Sequence, residues 1–121
     1  MKFIDKEVLA SAFNEAWSPE SSTLWKSENP ALGQCGVTAL VAQDYLGGKI
    51  LKTNVVKYGV DVIWHFYNEI NGVLEDFTMS QFDEPITYDN KPSNREEAFA
   101  DTSSQQYDSL KSAVERYSRN T

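Results

Sequence analysis

The chain has 121 residues, 40% hydrophobic and 24% charged, a balance typical of a globular protein rather than a disordered segment. This length suits one hydrophobic core, so we expect a single α+β domain over residues 1–121. The net charge is −7 and no Lys/Arg cluster is present, which argues against nucleic acid or an anionic membrane as a partner.

The cysteine content and the hydropathy of the chain exclude further classes of protein. Cys35 is the only cysteine, so a disulfide-stapled secreted scaffold is excluded. Asp5 and Glu7 stand where a signal peptide would have its apolar stretch, and no apolar run approaches the ~20 residues of a membrane span. We therefore expect a cytoplasmic protein. One cysteine and one histidine make no metal pattern, and no phosphate loop is present, so we expect neither metal nor cofactor.

The first predicted helix begins after Asp5, a good N-cap residue, and ends near Trp17 because Ser18-Pro19 breaks it. Its apolar face comprises Val8, Leu9, Ala12, Phe13 and Ala16. Residues 18–34 have the composition of a loop. A loop of this length in a small protein is often functional.

A second helix is predicted to start at or beside Cys35 and to end at Gly47-Gly48. Its expected buried stripe is Val37, Leu40, Val41 and Tyr45. Three strands follow, with the sequences KILKTNVVKY, VDVIWHFYNEI and VLEDFTM. Asn71-Gly72 between the last two is a strong signal for a two-residue hairpin turn.

The C-terminal third is predicted to be mostly loop over residues 83–94 and then helical. Ser93 and Glu96 form a capping box for a short helix that ends at Phe99. A last helix over residues 104–117 would turn four apolar or aromatic side chains inward: Tyr107, Leu110, Val114 and Tyr117. This order of helices and antiparallel strands predicts an α+β fold.

Cys35 is a candidate nucleophile because of its place at a helix start. The helix dipole and the free N–H groups there lower a thiol pKa, and the same N–H groups can stabilise an oxyanion. The alternative is a structural role, since a free cysteine usually only packs in the core.

His65, the only histidine, is a candidate general base because of the hairpin register. If Asn71-Gly72 is a two-residue turn, Ile70 faces Val73, and Asp76 becomes the diagonal neighbour of His65 on the same face. A carboxylate there would order the imidazole, which in turn would take the thiol proton. A three-residue loop would reverse the parity and separate the two side chains. Alternatively, His65 packs among its aromatic neighbours and Asp76 is exposed at an edge.

These residues resemble a known family pattern. The segments GQCGVTALVAQDYLGG, HFYNEI and LEDFT are similar to the transglutaminase-like branch of the papain-like cysteine enzymes. The resemblance implies a papain-like core, with N-terminal helices packed on a small antiparallel sheet and a C-terminal helix. It also implies Cys35 as nucleophile, His65 as acid/base and Asp76 as the orienting carboxylate, with Gln34 matching the residue before the nucleophile.

A closer resemblance, over roughly residues 15–117, is to the small bacterial YunG-like proteins. The segments NPALGQC and DFTMSQF carry it, together with the late REEAFADTSSQQYDSLKSAV. This family implies no settled substrate. Gly36 departs from the transglutaminase pattern, in which a larger residue, often Trp, follows the cysteine.

The resemblance and the residues together predict a cysteine hydrolase or acyl transferase. It would act on an amide or ester in a peptide, a protein or a small molecule, through an acyl-thioester intermediate. The Cys35 N–H and Gln34 would form an oxyanion hole, and Trp25 would flank the acyl site. The alternative is a non-catalytic papain-like-fold module that binds a protein or peptide.

Overall fold

The computed structural model describes residues 4–57 and 61–119. In these ranges the helices are α1 (Lys6–Ala16), α2 (Cys35–Leu46), α3 (Arg95–Ala100) and α4 (Ser104–Arg119). The strands are β1 (Lys49–Lys57), β2 (Asp61–Ile70), β3 (Val73–Glu75) and β4 (Lys91–Pro92). They form one antiparallel sheet in the order β3-β2-β1-β4. The predicted α+β arrangement is confirmed.

Helix α1 follows its sequence signals. Asp5 is the N-cap, and its Oδ1 accepts a hydrogen bond from the Val8 N–H at 2.8 Å. The inward face packs against α4, which contributes the buried Leu110 and Val114. Helix α4 continues to Arg119, two residues beyond the predicted end.

Helix α2 is the centre of the molecule. It starts at Cys35, as predicted, and ends at Leu46, followed by the C-cap residue Gly47, whose φ of +74° is readily adopted only by glycine. The predicted buried stripe is too narrow, because every residue from 35 to 42 is buried. One side of α2 packs against α1 and α4, and the other against the sheet through Ala39 and Leu40.

The hairpin that connects β2 to β3 has the predicted two-residue turn. Asn71 and Gly72 both have positive φ, and Ile70 pairs with Val73. The predicted length of the third strand is wrong, because β3 ends at Glu75. The side chain of Asp76 accepts the Thr78 N–H at 3.2 Å, a local turn that competes with strand pairing. The chain then enters a 3₁₀ turn over Met79–Gln81.

Residues 83–94 form an irregular segment that includes the two-residue strand β4, paired with β1. Thr53 of β1 fastens this segment to the sheet, since its Oγ1 donates to the Thr87 carbonyl and accepts from the Asp89 N–H, both at 3.0 Å. The predicted capping box is wrong by one residue. Asn94 is the N-cap of α3 and its Oδ1 accepts from the Glu97 N–H at 2.8 Å.

Within the described ranges, the helices are all too short or too polar to cross a membrane.

Candidate active site

His65 and Asp76 form a buried pair. His65 Nε2 lies 2.7 Å from Asp76 Oδ2, and the two side chains are only 1% and 3% exposed. His65 is in the middle of β2, and Asp76 follows the last residue of β3. The contact predicted from the hairpin register is therefore present. Because an ionised carboxylate only accepts hydrogen bonds, we assign the Nε2 proton to the bond with Asp76, which leaves Nδ1 of a neutral ring as an acceptor.

The Asp76 carboxylate has further donors. Tyr88 OH donates to Oδ2 at 2.7 Å, and the N–H and hydroxyl of Thr78 donate to Oδ1 at 3.2 and 3.3 Å. Burial, followed by the hydrogen bond to Asp76, raises the pKa of Tyr88, so its hydroxyl remains a donor at neutral pH. A buried carboxylate with four donors is well compensated for the loss of water.

Aromatic neighbours set the plane of the imidazole. The His65 ring is stacked on Tyr67 at a centroid distance of 5.8 Å and meets the edge of Phe82 at 4.9 Å. Tyr67 is itself fixed, because its hydroxyl donates to Asn90 Oδ1 and accepts from the Asn90 N–H. Nδ1 of His65 has no hydrogen-bond partner among the described residues, and His65 lines a cavity.

Cys35 lines the same cavity and is 8% exposed. Its Sγ–H donates to Asp101 Oδ2 at a distance of 3.6 Å. Burial, followed by the negative charge of Asp101, raises the pKa of Cys35, and the opposing hydrogen bond from the Phe66 backbone does not compensate. The sequence-based expectation of a lowered thiol pKa is therefore wrong for this conformation. No hydrogen bond links Cys35 to His65, both of which are described.

Asp101 packs directly against Gly36, and the missing side chain of the glycine makes room for it. A Cβ atom at Gly36 would lie 2.5 Å from Asp101 Oδ2 and 3.0 Å from the Ala98 carbonyl oxygen. Only glycine therefore lets the α3–α4 junction approach the start of α2 this closely. This packing is the physical reason that no larger residue follows the cysteine. Neither Asp101 nor Tyr88 was predicted as a site residue, because both come from segments distant in sequence from Cys35 and His65.

The cavity has a volume of about 500 Å³ and three walls. Leu24 and Leu32 come from the 18–34 segment, which thus contributes to the cavity. Residues 63–66 of β2 form the second wall, and Asp101 with Gln106 forms part of the third. Leu24 and Trp64 are 55% and 41% exposed, which makes part of the wall apolar and accessible.

Two predicted site residues lie elsewhere. Gln34 is fully buried, but it does not line the cavity, and neither its Nε2 nor its Oε1 has a partner among the described residues. Trp25 packs against the cluster around α1, and the tryptophan at the cavity is Trp64. The oxyanion role of Gln34 and the flanking role of Trp25 stay predictions. In the described part of the chain, no group of three or more acidic, cysteine or histidine side chains is placed to hold a metal ion.

Fold and site together define an α+β protein in which a helix-start cysteine and a buried His-Asp pair line one cavity. The chain belongs to the YunG family, since the family model described as "YunG protein" matches residues 5–119. It is 54% identical over 103 residues to "Uncharacterized protein YunG" of Bacillus subtilis (strain 168), and the match spans 85% of each chain. No solved structure matches it.

Proposed function

We propose that the protein is a cysteine-dependent hydrolase or acyl transferase with a papain-like core, acting on an amide or ester. Cys35 is the nucleophile, His65 the acid/base and Asp76 the orienting carboxylate. The observation that carries the proposal is the His65–Asp76 contact of 2.7 Å, with His65 Nδ1 unpartnered among the described residues and both His65 and Cys35 at one cavity. A base oriented by a third group is the arrangement that activates a nucleophile.

The chemistry follows from these positions. His65 Nδ1 takes the Cys35 proton, and the sulfur attacks the substrate carbonyl carbon to form a tetrahedral oxyanion. The imidazolium then returns the proton to the departing amine or alcohol, leaving an acyl-thioester on Cys35. Water or an amine attacks this thioester, and the thiol is regenerated. Asp76 keeps Nε2 protonated and stabilises the imidazolium.

The resting thiol must change partner before it reacts. It donates to Asp101, which opposes ionisation, whereas catalysis needs its proton on His65. Hydrogen bonds of this kind often tighten only in the substrate complex. A substrate group that engages Asp101 would release the thiol toward His65. The N-terminal amides of α2 then serve as oxyanion donors, and the unpaired buried amide of Gln34 is available to help orient them.

The test uses p-nitrophenyl acetate, an activated ester that needs little substrate recognition. We expect a burst of p-nitrophenolate and acetylation of Cys35, detected by mass spectrometry of the trapped protein. Cys35→Ser should lose the thioester, and Asp76→Asn should slow acylation. His65→Gln is preferred to His65→Ala because it keeps a donor for Asp76. Equal acylation rates in wild type, His65→Gln and Asp76→Asn would refute the proposal.

A second candidate is a non-catalytic module that binds a peptide or protein. It is favoured by the protonated resting thiol and by the exposed Leu24 and Trp64 at the cavity. This function predicts binding that is insensitive to Cys35→Ser and a thiol that never acylates. The same set of variants therefore separates the two functions.

A further inference from the structure

The residues that line the cavity carry more negative than positive charge. Its titratable lining residues are Cys35, His65, Glu97 and Asp101, and the described lining contains no lysine or arginine. Glu97 is already neutralised, since Lys52 Nζ lies 2.8 Å from its Oε2 and Ser93 donates to its Oε1. Asp101 has no lysine or arginine within ion-pair distance in the described chain.

His65 alone cannot supply the missing charge. A protonated His65 balances one carboxylate, and it is hydrogen-bonded to Asp76. The negative charge of Asp101 is then left over, and ionisation of Cys35 would add another. Like charges this close are costly unless a cation joins them.

Asp101 is held in place at the cavity. Its Oδ2 accepts the Cys35 S–H at 3.6 Å. The glycine leaves room for this approach, as the 2.5 Å separation from a hypothetical Cβ demonstrates. Although much of Asp101 is open to solvent, desolvation by the surrounding atoms raises its pKa. A cationic ligand group would stabilise its ionised form.

We propose that this cavity selects ligands that carry a protonated amine or a guanidinium next to the reacting carbonyl, and that Asp101 binds this cation. The hydrocarbon part of the ligand packs on Leu24 and Ile63, two exposed apolar side chains of the same cavity. Occupation of Asp101 also removes the acceptor of the Cys35 proton, so ligand binding and thiol activation are coupled. The inference rests on the proposed function, because it names the ligand class of that same site.

The test measures charge selectivity at Cys35 with two reagents that share one reactive group. These are 2-aminoethyl methanethiosulfonate, a cation, and 2-sulfonatoethyl methanethiosulfonate, an anion. We compare their rates with wild type, Asp101→Asn and Asp101→Ser. The control is Glu15→Gln, an exposed change on α1 that alters the net charge by the same one unit. Because the thiol is common to both reagents, their rate ratio cancels any change in thiol pKa.

We expect the cation-to-anion rate ratio in wild type to exceed that of glutathione by at least about tenfold, the size of effect a unit charge exerts over a few ångströms near a protein surface. Both Asp101 variants should lose most of this excess, and Glu15→Gln should keep it. An equal ratio in wild type and a folded Asp101 variant overturns the inference, as does a loss of equal size in Glu15→Gln. If His65→Gln is acylated at Cys35 as fast as wild type while the charge selectivity is unchanged, the proposed function is refuted but the cation site at Asp101 is not.

Discussion

Tyr88 and His65 donate to the same atom. The Tyr88 hydroxyl and His65 Nε2 each lie 2.7 Å from Asp76 Oδ2, so one carboxylate oxygen aligns a phenol and an imidazole. Tyr88 reaches this position from an irregular segment that Thr53 fastens to β1. The orientation of the histidine therefore depends on a loop as well as on the sheet.

Tyr88→Phe should weaken both the fold and the base. Loss of one buried donor to a carboxylate costs about 1–3 kcal/mol of unfolding free energy. We also expect slower acylation of Cys35 by p-nitrophenyl acetate, since the carboxylate that orients His65 is less constrained. Urea denaturation and the acylation rate measure the two effects. Tyr117→Phe, a half-buried tyrosine on α4, is the matched control; equal effects in the two variants would contradict the assignment.

Asp101→Asn should lower the Cys35 pKa, because the negative charge of Asp101 is the second cause, after burial, of its increase. At a fixed pH near neutrality a lower pKa means a larger thiolate fraction, so alkylation by iodoacetamide should be faster. The pH profile of the alkylation rate should shift to lower pH. A profile that stays in place would show that Asp101 does not control the thiol.

Cys35→Ser should change stability little at neutral pH, within about 1.5 kcal/mol for a near-isosteric swap. At alkaline pH, wild type and Cys35→Ser should differ in stability. The folded pKa of Cys35 is raised, so the unfolded thiol loses its proton first, above about pH 8.5, while the folded one keeps it. Wild-type stability should therefore fall above that pH by up to about 1.4 kcal/mol per pH unit more than that of the serine variant. Denaturation at several pH values checks this; parallel curves would count against it.

Gly36→Ala should be destabilising by about 1–3 kcal/mol, because its Cβ overlaps Asp101. In Gly36→Ala/Asp101→Gly the closest contacts of that Cβ, at 2.5 and 2.9 Å, are removed, and part of the loss should be recovered. A double-mutant cycle on the unfolding free energies gives the coupling. Strictly additive effects would mean that the two residues do not compete for space.

His65→Ala should cost about 3–5 kcal/mol, because it removes one of the four donors to the buried Asp76 carboxylate and leaves a cavity where the imidazole packs on Tyr67 and Phe82. Asp76→Asn should cost less, since the amide oxygen can still accept from His65 and Tyr88, and only the oxygen that accepts from Thr78 is replaced by an NH2 group. Melting temperatures of the two variants test this order. The reverse order would indicate that Asp76, and not the pair, is the structural requirement.

Local signals in the sequence were sufficient for the starts of α1 and α2, the hairpin turn and the contact between His65 and Asp76. Asp5 capped α1, Cys35 began α2, and the Asn71-Gly72 turn set the pairing parity that brings His65 to Asp76. These features depend on dihedral preferences and on the two-residue period of a strand, which neighbouring residues determine.

Tertiary packing decided the rest. It brought Tyr88 to Asp76 and placed Asp101 against Cys35. The largest difference between sequence and structure concerns the pKa of Cys35. The sequence predicted that the nearby helix start would lower this pKa, whereas in the folded chain burial and a carboxylate 66 residues away raise it. Desolvation and charge act through space, so the order of residues alone did not reveal them.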